Sequence, residues 1–85
     1  MYVYEIEKPK IFTEEGQNMF LHIRDQVKEK IKLSGAVTMD SAISGIGGDS
    51  WRQMACVDRL VELGEIKEIP QQDCMGQHRV FVPKR

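Results

Sequence analysis

The sequence predicts an α+β fold: a three-helix core followed by a C-terminal β-hairpin, with a short N-terminal strand or arm in front. Three observations lead there. Apolar residues recur at spacings of three to four along two long stretches, the period of amphipathic helices. Both stretches stop at a glycine able to take the left-handed conformation of a helix end, Gly35 and Gly64. Beyond Gly64 the helical period gives way to two short strand-like runs, Glu65 to Ile69 and Gln77 to Val82, parted by the polar loop Pro70 to Gly76.

At the N-terminus Tyr2, Tyr4 and Ile6 alternate with Val3, Glu5 and Glu7, the period of a half-buried strand, and Pro9 interrupts it. Thr13 then caps a helix whose first turn holds Glu14 and Glu15, favourable beside the positive end of the helix dipole. Met19, Phe20, Ile23, Val27 and Ile31 form its apolar stripe, Gly16 weakens its first turn slightly, and its end is expected near Leu33. A β-like Ala36-Val37-Thr38 leads into a compact helix from Met39 to Ile46, capped by Thr38 or Asp40. Gly45, Gly47 and Gly48 limit its length and permit a tight bend. The longer helix runs from Ser50 to Leu63. Ser50 with Gln53 fits a capping box, and Asp49 is the competing cap. Trp51, Met54, Val57, Leu60 and Val61 are expected to face inward, with Arg52, Gln53, Cys56 and Arg59 mainly on the outer side. The continuous run Val80-Phe81-Val82 implies a strand touched on both faces or covered by a second copy.

One domain is expected over residues 1–85: an arm at 1–12, a helical core at 13–64, and the hairpin with the C-terminus at 65–85. The apolar share of 41% and charged share of 29% suit a globular chain and exclude a disordered tail. Twelve basic and 13 acidic residues leave a net charge of −1, so any contact with nucleic acid must come from where the charges sit. No apolar run is long enough to cross a bilayer and no secretory core is visible, so the cytoplasm is the expected compartment. Cys56 and Cys74 are expected to be reduced thiols.

The residues Asp58-Arg59-Leu60-Val61-Glu62-Leu63-Gly64-Glu65-Ile66 resemble the passage from recognition helix to wing in winged helix-turn-helix domains. Leu60, Gly64 and Ile66 match the Leu-x-x-x-Gly-x-Ile turn of that superfamily, and the resemblance extends from about Phe12 to Val82. It implies that Asp40 to Ile46 is the supporting helix and Ser50 to Leu63 the recognition helix, whose N-terminal residues reach base edges in the major groove. Arg52 would then pair with guanine and Gln53 with adenine, Cys56 would share their face, and Arg59 would meet phosphate. His78, Arg79, Lys84 and Arg85 would approach a neighbouring groove or backbone. The implied partner is duplex DNA and the implied role a small transcriptional regulator of bacterial or phage type, or a part of a larger assembly. The alternative within the same superfamily is a protein-docking module, or a homodimer, that uses residues 2–12 and the wing. A positive stripe joining Arg52, Arg59 and Arg79 favours DNA, and an exposed patch containing Trp51, Tyr2 or Phe81 favours protein.

Other chemistry is thinly represented. Cys74-x-x-x-His78 has a zinc-like spacing that Cys56 and His22 could extend, but a second closely spaced pair is missing and no metal is expected. Gly45-Ile46-Gly47-Gly48 precedes a helix without the lysine or the parallel strand of a phosphate loop, and reads as a turn. No Cys/His pair has an orienting group and the chain is short for a substrate pocket, so neither enzyme activity nor a cofactor is expected.

Overall fold

The computed structural model describes residues 1–70 and 78–84. Over them run a helical turn α1 (Tyr4–Glu7), a 3₁₀ helix (Lys8–Phe12), α2 (Glu14–Ser34), β1 (Val37–Thr38), α3 (Met39–Ile43), α4 (Ser50–Glu62), β2 (Ile66–Ile69) and β3 (Val80–Pro83). The fold is α+β, with an antiparallel sheet ordered β1-β3-β2. Phe81 lies opposite Val37 on one side and Glu68 on the other, and is fully buried. The apolar run around it belongs to a strand paired along both edges. Most of the expected Pro70 to Gly76 loop, with Cys74, and the terminal Arg85 lie outside the described residues.

Helix ends follow local chemistry. The Thr13 hydroxyl accepts from the Gly16 N–H at 3.0 Å, and Gly35, at φ 81°, closes α2 by donating to the Ile31 carbonyl at 2.7 Å. Thr38 caps α3, accepting from the Ser41 N–H at 3.1 Å. Asp49 caps α4, accepting from the Trp51 N–H at 3.1 Å, so Ser50 is the first helical residue and the capping box does not form. The α3 helix stops at Ile43 rather than Ile46, because Ser44 turns extended and Gly45 takes a positive φ of 76°.

Two further expectations need correction. Residues 2–12 form neither strand nor arm. Val3 O accepts from the N–H groups of Ile6 and Glu7, and Pro9 sits at the start of the 3₁₀ helix, where its missing N–H is not needed. The segment packs on α4 instead of on a sheet edge, with Ile11 buried in the core and Tyr2 and Tyr4 packed against it.

The second correction concerns the phase of α4. Its buried residues are Gln53, Ala55, Cys56, Val57 and Leu60, whereas Trp51 is 41% exposed and Met54 and Val61 are half-buried. Because α2, α3 and residues 4–12 all pack on α4, burial covers more than one narrow stripe. The core that results is one cluster linking Ile11, Ile23, Val27, Met39, Leu60 and Phe81 across every layer.

Gly16 has a structural purpose that helix propensity alone conceals. A Cβ there would stand 2.2 Å from the Lys10 carbonyl oxygen and 2.6 Å from that of Ile11, both main-chain atoms. Gly16→Ala is therefore expected to destabilise the protein by about 1–3 kcal/mol, as overpacking does, despite alanine's better helix propensity. Thermal melting checks this, and an unchanged or higher melting temperature would show that residues 8–12 do not lie against α2.

Candidate functional site

The candidate site is built from the arginines that the resemblance singles out on α4 and just ahead of β3, Arg52, Arg59 and Arg79. Arg52 projects toward the start of α2, beside Thr13, Glu14, Glu15 and Asn18, with its Nη1 3.6 Å from Glu15 and its buried Nε without a hydrogen-bond partner among the described residues. Arg59 donates to Glu62 at 2.7 Å and lies 5.3 Å from the centroid of the Phe12 ring. Arg79 is held on two sides: its Nη2 donates to Asp58 at 2.6 Å and to Glu68 at 2.8 Å, its Nε to Glu68 at 3.0 Å. These carboxylates push the Arg79 guanidinium well above its ordinary pKa despite its burial.

Gln53 and Cys56, expected on the outer face, are inside. The Gln53 carboxamide donates to the carbonyls of Ile46, Gly47 and Gly48 at 2.6, 3.1 and 3.3 Å, which closes the turn before α4. Gln26 does the same for α3, donating to Ala42 at 2.9 Å and Ser44 at 2.8 Å. Carbonyls left without such donors would be costly, which explains why the polar Gln53 is buried and Gln26 is half-buried. Cys56 is fully buried, and burial pushes its thiol up to about 12, so it stays neutral. His78 and Lys84 are exposed, and Arg85 lies outside the described residues.

The middle and end of α4 carry a feature that periodicity did not reveal. Asp58 and Glu62, one helical turn apart, receive the two tyrosines of the chain: Tyr2 Oη donates to Asp58 at 2.6 Å and Tyr4 Oη to Glu62 at 2.8 Å. Lys8 adds a third donor to Glu62, at 2.9 Å. The three donors Lys8, Arg59 and Tyr4 hold the Glu62 carboxyl down at about 2. The N-terminal segment thus covers the part of α4 that follows Met54. The legible signal is the pair of acids at i and i+4 on one helix face.

Burial, and then the hydrogen bonds to Asp58 and Glu62, raise both tyrosines well above their ordinary pKa of about 10. A neutral phenol therefore stabilises the docked segment fully below about pH 10, and that stabilisation fades as the pH rises from there toward the folded-state values. The Glu62 contribution runs the other way, present above its ordinary 4.5 and lost as the pH falls toward about 2. A near-ultraviolet tyrosinate titration should accordingly find both tyrosines resisting ionisation past about pH 10. In Asp58→Asn/Glu62→Gln the two should ionise at lower pH, and equal titration curves would refute the docked arrangement.

Among the described residues no trio of His, Cys, Asp or Glu is placed to hold a metal ion. No helix there is long and apolar enough to cross a membrane. No family model, curated protein or solved structure matches the chain.

Proposed function

We propose that this chain is a winged helix that docks a protein and does not read DNA. The helix-strand-helix-helix-strand-strand order after Phe12 and the sheet order β1-β3-β2 support the winged-helix assignment, with α3 as supporting helix and α4 in the recognition position. The observation that carries the docking reading is Trp51, 41% exposed where a DNA reader would present base-contacting side chains. Met54 lies one turn further along, half-buried, and beyond it the face is closed by Tyr2 and Tyr4. Tryptophan at the edge of a helix beside apolar neighbours is a frequent anchor of protein interfaces. Against DNA stand the placements of the expected readers: Arg79 is held between two carboxylates, Arg52 leans on Glu15, and the two further base or groove candidates Gln53 and Cys56 are buried.

The test compares wild type, Arg52→Ala and Trp51→Ala against random duplex and against proteins retained from a lysate. Each neutralised phosphate contributes about −0.9 to the log–log salt slope, so with Arg79 held by carboxylates and Arg52 against Glu15 the slope is expected to stay shallower than about −3. Docking predicts such weak or absent duplex binding, indifferent to Arg52→Ala, and partners that wild type retains and Trp51→Ala loses. A slope of about −3 to −4 that shrinks in Arg52→Ala would restore the DNA reading.

A further inference from the structure

Where the 3₁₀ helix meets α2 and the end of α4, Ile11, Phe12, Gln17, Phe20, Arg59 and Leu63 enclose a pocket of about 180 Å³. Ile11 and Phe20 belong to the core and form its apolar floor, while Phe12 and Leu63 stand 55% and 48% exposed at its rim. Such side chains are ordinarily left in water only singly, and here they frame one concavity. The pocket is smaller than the roughly 300–1,000 Å³ of small-molecule sites and suits a single large side chain.

Charge chooses among occupants. Among the described residues Arg59 is the only ionisable one in the lining, and its guanidinium stacks on the Phe12 ring while giving Nη1 to Glu62. Lys8 shares the same carboxylate, so Glu62 alone meets two cations, one of which, Arg59, lines the pocket. A partner approaching this pocket gains from bringing a carboxylate and loses from bringing a cation.

Resting on the docking reading above, we propose that this pocket receives one leucine or phenylalanine side chain from a partner protein, with a neighbouring glutamate or aspartate of that partner meeting Arg59. The apolar side chain supplies the buried contact, and the carboxylate sets which segments are accepted. The surface is distinct from the Trp51 end of α4, and its two halves select for an acidic, hydrophobic sequence.

The experiment is fluorescence anisotropy with short labelled peptides: a central leucine flanked by glutamates, the same peptide with alanine for leucine, and the same with lysines for glutamates. The leucine–glutamate peptide is expected to bind saturably, and each replacement to weaken it about tenfold or more. Leu63→Glu, a change at the exposed rim that leaves the fold intact by melting, should abolish binding. Arg59→Gln should weaken it about tenfold and flatten its salt dependence. Should Arg59→Gln loosen the N-terminal segment, Leu63→Glu still decides. Absence of binding by every peptide, binding indifferent to Leu63→Glu, or equal affinity for the lysine peptide overturns the proposal. Self-association of the chain that Leu63→Glu removes, with no peptide bound, overturns it too and makes a second copy the occupant. Peptide failure with partners still lost in Trp51→Ala defeats only the pocket, whereas duplex binding that depends on Arg52 defeats the docking reading itself.

Discussion

Leu60→Ala is expected to destabilise the protein by about 2–5 kcal/mol, the cost of removing a buried leucine and leaving a cavity behind. Leu60 is 1% exposed and joins the cluster of Val57, Ile66 and Phe81 with the helices. Its backbone also serves, since its carbonyl accepts from the Glu65 N–H at 3.0 Å and so turns the chain from α4 into β2. Small domains hold only about 5–15 kcal/mol in total. The melting temperature should therefore fall by about 10 °C or more. A variant that melts like wild type would mean that the inward face of α4 is misassigned.

Arg79→Ala is expected to be nearly as damaging, at about 3 kcal/mol, because it strands two carboxylates. Asp58 and Arg79 have side chains only 13% and 17% exposed, and Glu68 lies on the other side of the guanidinium. Breaking a buried ion pair by removing one partner leaves the other charge uncompensated, whereas removing both is far milder. Asp58→Asn/Arg79→Met should accordingly be more stable than Arg79→Met alone. A double-mutant cycle in chemical denaturation measures the coupling, and additive single effects would show that the pair contributes nothing. Arg79 is also stacked 5.3 Å from the Phe81 ring centroid, so part of its effect is packing and would persist at high salt.

Much of the architecture was legible because its signals act over a few residues. Thr13 reaches Gly16, Thr38 reaches Ser41, and Gly35 closes its own helix, so caps and stops can be read from neighbours in the chain. The α4 phase was not legible, because the apolar stripe at helical spacing sets Trp51 and Met54 inside and leaves Gln53 outside. Burial is decided by what packs on a helix, and here Gln53 is drawn inside by the carbonyls of the preceding turn. The N-terminal alternation predicts a strand, and only tertiary contact overturns it. Its tyrosine hydroxyls find their acceptors 56 and 58 residues away, on a helix that no local pattern connects to them.

The candidate site divides along the same line. The winged-helix resemblance brings Arg52, Arg59 and Arg79 forward as the expected contact cations, and marks Trp51 as the side chain whose exposure would choose between partners. Helix ends, the turn at Gly45 to Gly48 and the strand character after Gly64 came from the same short-range chemistry. Which charges remain available was settled by packing. Coulomb energy depends on separation in space, and the fold brings Arg79 within 2.6 Å of Asp58, 21 residues away in the chain, and within 2.8 Å of Glu68, 11 residues away.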